Sequence, residues 1–437
     1  MIKLNDKQQE IFDSITGHIS TNFKTYKDLS LMDRMMTLQG KAGSGKSTLV
    51  GELIAHFSNQ ANYHTILTAT THKALAVVSD MTNDNVMTST IHSYLKLKVS
   101  EDYNTGEYNL KRVEGKYPEP CDILMIDECS MCDTKLFDFI LEAVLSNTVS
   151  FVIFVGDSAQ LLPVNGELAP IFDEKTCIQH SLTEIVRQSE GNPIITLASK
   201  IRKTIDTNSF PEPYIVKQWF KEAECEQIIN YTSPNDFINR YYSSEYKPEE
   251  NLIVAYKNNT VDRLNKSIRK KLIGADECFL IGEELIFNEA LIEGDDTIIK
   301  NNEKVRIKEL TKHYDKELDI HFWKILTECE RVFRAVDFGS KMDYDYELGE
   351  LTKSAKKASG VIRSEMWRRY FELKNSFGNV AYIYTTTSHK SQGSSCKEVF
   401  VDVGEILGMS SVIDNSDIFR SLYVSVTRCK YNLIVKL

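Results

Sequence analysis

The sequence predicts an α/β protein built on parallel β-sheets, and three short segments carry this prediction. The apolar run MMTL at Met35–Leu38 precedes a glycine-rich turn and a helix-compatible stretch. The run DILM at Asp122–Met125 begins an apolar strand, FVIFV at Phe151–Val155 is a continuous apolar stretch, and both lead into polar residues. Continuous apolar runs of this length are typical of strands that are buried on both faces. We therefore expect buried strands to alternate with helices.

The composition is that of a globular chain large enough for several domains. Its 437 residues can form two or more domains, each with its own core, and 42% of them are hydrophobic and 26% charged. No run approaches the roughly 18 apolar residues that a membrane span needs, and the N-terminus MIKLNDKQQE is too polar for a secretory signal. These features predict a cytoplasmic protein without a membrane partner.

The nine cysteines follow no regular framework, which fits a reducing compartment. Cys129 and Cys132 form a CxxC pair, but no second pair or neighbouring histidine accompanies it in the sequence. This pattern favours packing over zinc binding or redox chemistry.

The formal net charge of −10 argues against a broad basic surface. A nucleic acid would therefore have to be bound in a local groove, because the chain as a whole does not attract it.

The segment Gly40–Ser47, GKAGSGKS, fits the pattern G-x-x-x-x-G-K-[ST] at every fixed position. Glycines allow backbone N–H groups to surround a phosphate, and the N-terminus of the following helix faces the anion. Lys46 would reach the β- and γ-phosphates, and the Ser47 hydroxyl would coordinate Mg²⁺. The sequence thus predicts a site for a nucleoside triphosphate, formed by Gly43, Ser44, Gly45, Lys46, Ser47 and Thr48.

Two further strand ends carry residues suited to hydrolysis. The strand that begins at Asp122 ends in Asp127 and Glu128, which could hold Mg²⁺ and orient the attacking water, respectively. The next strand is followed by GDSAQ, in which Gln160 could bond to a phosphate oxygen in one nucleotide state and lose that bond in the next. For Asp127 and Glu128 the alternative interpretation is two solvated acids after a strand.

The order of the motifs resembles that of superfamily 1 helicases, specifically the 5′-to-3′ branch, superfamily 1B, that contains the RecD-type enzymes. In chain order the motifs read GKAGSGKS, THKA, TIHS, DE, GDSAQ, LTEIVRQ, TTTSHKSQG and LYVSVTRCK. The match runs from Leu4 to the last strand and is weaker around 100–120 and 275–375, where such helicases carry variable accessory domains.

This resemblance implies two RecA-like motor domains. The first would span 1–189 and carry a β-hairpin, or pin, at 95–118. The second would comprise 190–274 and 379–437, interrupted at 275–378 by an accessory domain with an SH3-like β-barrel and a helical arm.

The resemblance also assigns further residues to an ATP site. Gln8 would read the adenine edge, with the adjacent Gln9 as the alternative. Arg187 and Arg428 would approach the γ-phosphate from opposite sides of a cleft, with Arg428 acting as an arginine finger in cis. Tyr423, in a predicted strand over Leu422–Val426, would stack near the base or serve as an ordinary core tyrosine.

Three polar runs, on both predicted motor domains, are candidates for holding a DNA strand. Hydroxyl groups, imidazoles, ammonium groups and backbone N–H groups at strand ends commonly hold phosphate and sugar, and none of these runs is suited to reading bases, which fits sequence-independent tracking. Taken singly, each is a polar loop. The candidate residues are Thr70, His72, Lys73, Thr90, His92, Thr387, His389, Lys390 and Gln392.

The segment Leu95–Gly115 alternates around a turn at Asn104–Gly106 and predicts a β-hairpin. Tyr103 and Tyr108 flank the turn and would stack on the last base pair if the hairpin were a wedge; the alternative is a surface hairpin without a role. The helical stretch Leu348–Phe377 carries arginines and Trp367. It could brace DNA, dock onto the hairpin, or present a solvated face.

The resemblance predicts an ATP- and Mg²⁺-dependent DNA helicase that moves 5′ to 3′ on single-stranded DNA. Its partners would be single-stranded DNA, junctions with duplex DNA, and a replisome or single-strand-binding protein, with one chain as the working unit. The alternative is an ATP-gated translocase or remodeller that displaces proteins without unwinding.

Overall fold

The computed structural model describes residues 4–79, 86–163, 169–183, 191–243, 250–274, 277–293 and 296–437. The chain divides into two compact units. Unit 1 comprises 1–98, 112–257 and 386–437, and unit 2 comprises 99–111 and 258–385. The two parallel sheets lie in unit 1, apart from Thr385 of β18, and unit 2 contains the predicted accessory segment and residues 99–111 of the predicted hairpin.

The strands, in chain order, are β1 Met35–Gly40, β2 Thr65–Ala69, β3 Met87–Thr90, β4 Leu97–Asp102, β5 Glu107–Arg112, β6 Cys121–Asp127, β7 Val149–Gly156, β8 Ile178–Leu182, β9 Ile228–Tyr231, β10 Asn251–Ala255, β11 Glu284–Phe287, β12 Leu291–Glu293, β13 Asp296–Ile299, β14 Lys304–Asp315, β15 Ile320–Thr327, β16 Val332–Val336, β17 Val380–Tyr382, β18 Thr385–Thr387, β19 Cys396–Asp402 and β20 Cys429–Lys436.

The α-helices are α1 Asp6–Asn22, α2 Lys46–Ala55, α3 His72–Ser79, α4 Ile91–Tyr94, α5 Thr134–Leu145, α6 Pro193–Asp206, α7 Pro213–Glu222, α8 Pro234–Ser243, α9 Asn258–Ile273, α10 Lys341–Lys357, α11 Gly360–Asn375, α12 Ser388–Ser391, α13 Val403–Leu407 and α14 Asn415–Thr427. No helix in the described ranges is long and apolar enough to cross a membrane.

The first sheet of unit 1 has the strand order β3-β2-β6-β7-β1-β8, and its strands pair in parallel. All eight residues of β7 are buried, because helices cover both faces of a central parallel strand. The carboxyl ends of parallel strands meet at one edge of the sheet. That edge therefore collects the phosphate loop after β1 and the acidic residues after β6 and β7.

The second sheet of unit 1 has the order β18-β10-β19-β20-β9. Its strands β10, β19, β20 and β9 pair in parallel. Helices α6, α13 and α14 contribute to its core, which contains Ile201, Leu422 and Val435. The predicted architecture of two parallel sheets in an α/β protein is confirmed.

The prediction of a strand over Leu422–Val426 is wrong, because these residues lie in α14. Every residue from Ile418 to Val426 is buried, and a short buried run does not by itself distinguish a helix from a strand. The helix begins after Asp414, whose side chain accepts a hydrogen bond from the Ser416 N–H at 2.7 Å.

Unit 2 contains a five-stranded sheet of order β16-β15-β14-β11-β17, whose strands pair in antiparallel fashion. Its strands lie within the segment 275–378 that was predicted to hold an accessory domain, except β17 at Val380–Tyr382. The SH3-like barrel stays a prediction. Two helices, α10 and α11, follow the strands. Strands β4 and β5 form a separate two-stranded sheet joined through Tyr103–Gly106.

Candidate active site

The phosphate loop lies between β1 and α2. Gly43 and Gly45 both have a φ of +77°, a left-handed conformation that residues with a Cβ rarely adopt. A Cβ at Gly40 would collide with the Ser44 hydroxyl and press against the Lys46 side chain. The glycines therefore bring the loop backbone close to the N-terminus of α2, which begins at Lys46.

The polar atoms of this loop suit a phosphate. The Lys46 ammonium donates to the carbonyl oxygens of Gly40 and Lys41, the latter at 3.3 Å. The Ser44 hydroxyl is buried and has no hydrogen-bond partner among the residues that the structure describes. Ser47, the candidate Mg²⁺ ligand, is exposed in the first turn of α2, and Thr48 follows it. A cation, an unpaired hydroxyl and a helix N-terminus thus meet at one place.

Gln8, the candidate adenine-reading residue, contacts the phosphate loop directly. Its side-chain amide donates to the Gly45 carbonyl at 3.2 Å, and its side-chain oxygen accepts from the Asn5 N–H at 3.0 Å. Asn5 and Gln8 form a capping box at the start of α1. The neighbouring Gln9 bonds to Asp13 on the helix surface instead, so Gln8 is the glutamine beside the loop.

Asp127 and Glu128 follow β6 at the same sheet edge. Burial, and after it the Glu128 charge, raise the pKa of Asp127, whereas the Lys46 charge lowers it. Glu128 has a φ of +51°, in the left-handed region that is unfavourable for glutamate. Thr70 fixes this backbone, since its N–H donates to the Asp127 carbonyl at 3.3 Å and its hydroxyl to the Glu128 carbonyl at 3.1 Å.

The second sheet reaches the first through α14 and α6. Asp157, buried after β7, accepts hydrogen bonds from the Tyr423 hydroxyl at 2.7 Å and from the Arg202 guanidinium. The Tyr423 hydroxyl also accepts from the Ala42 N–H of the phosphate loop at 3.1 Å. A cavity of about 300 Å³ is lined by Gly40, Arg202 and their neighbours. One cleft therefore contains the phosphate loop and a cation from α6.

Gln160 contacts two residues from elements of the second sheet. Its side-chain oxygen accepts from the Gln392 amide at 2.8 Å, and its backbone carbonyl accepts from the Arg420 guanidinium at 2.7 Å. Gln392 also donates to the Ser130 hydroxyl at 3.2 Å. These contacts place Gln392 beside the candidate hydrolysis residues; its role in DNA binding stays a prediction.

Of the two predicted arginine fingers, Arg428 is described and Arg187 lies outside the described residues. The Arg428 guanidinium is 8% exposed and donates to the carbonyl oxygens of Val424 and Ser394 at 3.2 and 3.1 Å. Burial lowers its pKa, and the Glu128 charge opposes that effect. The side chain therefore lies within electrostatic reach of the acid pair.

The polar runs that could hold DNA meet across the two sheets. The Lys73 ammonium donates to the Lys390 carbonyl at 3.1 Å. A Cβ at Gly393 would approach the Ala74 N–H to 3.3 Å, and Gly393 has a φ of +72°. The runs after β2 and β18 are thus adjacent, as a shared groove requires.

Two of the candidate DNA-binding threonines cap short helices. Thr90 accepts from the Ser93 N–H at 3.2 Å at the start of α4, and Thr387 accepts from the Lys390 N–H at 3.4 Å at the start of α12. The histidines of these runs, His72 and His389, are exposed, while His92 is partly buried and burial lowers its pKa.

Comparison with known proteins finds DNA helicases among the similar sequences. The chain is 27% identical to the ATP-dependent DNA helicase Dda of Enterobacteria phage T4. The alignment is 476 residues long with its gaps and covers 97% of this chain and 99% of the phage protein. It is 29% identical to the ATP-dependent RecD2 DNA helicase of Deinococcus radiodurans over 195 residues, covering 45% of this chain and 23% of that protein. A family model described as an AAA domain matches residues 26–210.

A solved structure supports the fold. The crystal structure of Pif1 helicase from Bacteroides in complex with ADP-AlF3 and ssDNA matches with a TM-score of 0.53 and 16% identity, covering 100% of this chain and 93% of that chain. Over nearly its full length the chain is thus similar to an ATP-dependent DNA helicase, and its fold is similar to that of the Pif1 structure.

The tyrosines of the β4–β5 hairpin face α11, and all of these residues lie in unit 2. The Tyr108 ring packs against the Phe371 ring with centroids 5.2 Å apart, and the Arg368 guanidinium lies 5.6 Å from the centre of the Tyr103 ring. At the turn, Gly106 has a φ of +77°, and a Cβ there would overlap the Trp367 ring.

Of the three alternatives for the arginine-rich helix, the structure supports docking onto the hairpin. Trp367 is 5% exposed and Phe371 1%, so the face of α11 that carries them is not solvated. The Ser364 hydroxyl further donates to the Asn104 side chain at 3.0 Å. The predicted contact of Tyr103 and Tyr108 with a base pair stays a prediction.

The CxxC pair lies in the interior of the first sheet's elements. Cys129 and Cys132 are both buried free thiols, and a Cβ at Gly156 would collide with the Cys129 sulfur. In the described part of the chain, no group of three or more acidic, histidine or cysteine side chains is placed to hold a metal.

Sequence reasoning missed two arginines of the cleft, Arg202 and Arg420. Arg202 occurs in an amphipathic helix that begins at Pro193, where an arginine usually faces solvent, and nothing in the sequence distinguishes it. Arg420 stands within the buried run of α14. A charged residue inside an apolar run is itself an indication of a buried polar partner.

Proposed function

We propose that the chain is an ATP-driven DNA helicase that moves 5′ to 3′ along single-stranded DNA and separates the duplex ahead of it. The observation that carries this proposal is the cleft between the two parallel sheets. The phosphate loop and Asp157 on one side contact Tyr423 and Arg202 on the other. A site built from both sheets can convert a change in the nucleotide into relative movement of the sheets.

In the proposed reaction each group of the cleft has one task. Lys46 binds the β- and γ-phosphates, Glu128 orients the attacking water, and Gln160 senses the γ-phosphate. Mg²⁺, held by Ser47 and Asp127, would neutralise phosphate charge when bound.

Arg428 and Arg187 would stabilise charge on the γ-phosphate, a contribution of roughly 10³–10⁵ in turnover for an arginine finger. Arg428 is suited to this task because its hydrogen-bond partners, two carbonyl oxygens and the Thr427 hydroxyl, are all neutral. An anionic phosphate oxygen is a stronger acceptor for a guanidinium than a neutral carbonyl oxygen.

The polar runs on the two sheets would hold the DNA strand. The contact between Lys73 and the Lys390 backbone supports a shared groove, and hydroxyls and cations there would bind phosphate and sugar without reading bases. Both sheets of the cleft belong to one chain, which supports a single chain as the working unit.

The role of the β4–β5 hairpin distinguishes a helicase from a translocase that only displaces proteins. Replacement of both Tyr103 and Tyr108 by alanine should abolish strand separation and leave DNA-stimulated ATP hydrolysis intact. If unwinding survives both changes, the wedge assignment is wrong and the translocase is favoured.

The function is tested by measuring ATP hydrolysis with and without single-stranded DNA, together with unwinding of duplexes that carry a 5′ or a 3′ tail. We expect DNA to stimulate hydrolysis and only 5′-tailed duplexes to be unwound. Hydrolysis that is indifferent to DNA would refute the motor, and unwinding from 3′ tails would refute the polarity.

A further inference from the structure

The Tyr423 hydroxyl is the point where the second sheet contacts the phosphate loop. The Tyr423 ring is 1% exposed and belongs to the core of the second sheet. Its hydroxyl lies at the edge of that core, because it donates to Asp157 at 2.7 Å and accepts from the Ala42 N–H at 3.1 Å. Both partners belong to the first sheet's strand ends, so one side chain joins the two halves of the cleft.

The hydrogen-bonding capacity of this hydroxyl is fully used. A phenol has one proton to donate and two lone pairs to accept. The proton goes to Asp157, and the lone pairs face the Ala42 N–H and the Arg202 guanidinium, the latter at 3.4 Å. Asp157 in turn accepts from Arg202 and from the Ala159 N–H at 3.0 Å. The position of the hydroxyl is therefore well defined.

The Ala42 N–H has two possible acceptors. It lies in the phosphate loop, where backbone N–H groups donate to phosphate oxygens. An N–H group has a single proton, so a strong bond to a phosphate oxygen weakens the bond to the Tyr423 hydroxyl. Nucleotide binding and the Tyr423 contact thus compete for one donor.

We propose that Tyr423 is a positioning residue whose hydroxyl competes with the nucleotide for the Ala42 N–H. Phosphate binding in the loop thereby changes a contact between the loop and the second sheet. The proposal rests on the ATP site of the proposed function and assigns a role to a residue that touches the loop from the opposite sheet. When a phosphate oxygen accepts the hydrogen bond of the Ala42 N–H, the Tyr423 hydroxyl retains its hydrogen bonds with Asp157 and Arg202. The second sheet then loses one of its contacts with the loop.

The test is Tyr423→Phe, which keeps the ring in the core and removes only the hydroxyl. Without the competitor, the Ala42 N–H is free for phosphate. We expect the KM for ATP and the dissociation constant of a fluorescent ADP analogue to fall by about 3- to 10-fold, the size expected for one net hydrogen bond, while kcat with single-stranded DNA does not rise. Because a dissociation constant does not depend on the folded fraction, partial unfolding would not imitate this result.

Tyr94→Phe is the matched control. Tyr94 is also 1% exposed, and its hydroxyl donates to the Glu119 carbonyl at 2.8 Å, away from the loop. Its loss should leave nucleotide affinity unchanged. An unchanged or weakened nucleotide affinity in Tyr423→Phe would overturn the inference. If the unaltered protein fails to hydrolyse ATP, the proposed function is refuted instead, so the two failures are distinguishable.

Discussion

At the scale of single residues, Glu128 shows a conflict between function and local stability. Its φ of +51° places a residue with a Cβ in the left-handed region, which costs about 1–2 kcal/mol. Its charge also lies beside Asp127 and raises the pKa of that carboxyl group. Thr70 holds the strained backbone through the Glu128 carbonyl. Strain of this kind is commonly found at functional sites.

We predict that Glu128→Gly is more stable than Glu128→Ala by about 1 kcal/mol, because glycine adopts this conformation without a steric cost. Both changes should reduce ATP turnover by about 10²-fold or more, since both remove the group that orients water. Thermal denaturation and phosphate release measure the two effects.

The control for this comparison is Glu142 in helix α5. There the order should reverse, with Glu142→Gly less stable than Glu142→Ala by about 1 kcal/mol, as in any helix interior. A glycine at 128 that is no better than alanine would show that the backbone is not strained.

At the scale of elements, the sequence was sufficient to predict the loops whose polar residues follow a fixed pattern. The phosphate loop and the DE pair could be placed because a glycine-rich turn or an acidic pair follows a buried strand. Helix α14 was mistaken for a strand because its buried run has no polar face to reveal a helical period. The partners of Arg202 could not be predicted, since the contact with Asp157 joins elements from different sheets.

The hairpin and α11 give a prediction at this scale. Gly106→Ala should reduce strand separation while ATP hydrolysis with single-stranded DNA is retained, because a Cβ there would overlap the Trp367 ring and displace the hairpin. Gly115→Ala is the matched control, since Gly115 has a φ of +71° but no atom lies within 4 Å of its added Cβ.

Both glycine variants carry the same cost of a left-handed φ, and Gly106→Ala carries in addition the cost of displacing the hairpin from Trp367, so it should be the less stable of the two. Only Gly106→Ala should lose unwinding, measured with a 5′-tailed duplex. Equal unwinding by the two variants would show that strand separation does not depend on the contact between the hairpin and α11.

At the scale of the whole molecule, the charge balance limits how DNA can be held. A net charge of −10 gives no general attraction to a polyanion, so binding must come from a few local contacts. Each phosphate neutralised on a single strand contributes about −0.7 to the slope of log affinity against log salt concentration. The slope therefore counts the contacts.

We predict that Lys390→Ala weakens single-stranded DNA binding for every sequence and makes that slope shallower by about 0.7. Lys397→Ala is the control, because Lys397 is a surface residue paired with Glu250 at 2.9 Å. Fluorescence anisotropy at several salt concentrations measures both slopes. An unchanged slope for Lys390→Ala would remove it from the DNA contacts.

The cleft has a consequence for inheritance. Tyr423 contacts the phosphate loop and Asp157, and Arg202 contacts Asp157, from the same polypeptide, in keeping with the proposal that one chain is the working unit. A defective copy made beside an intact one would lower the total activity in a cell without inhibiting the intact copy. Loss-of-function alleles in this cleft should accordingly be recessive.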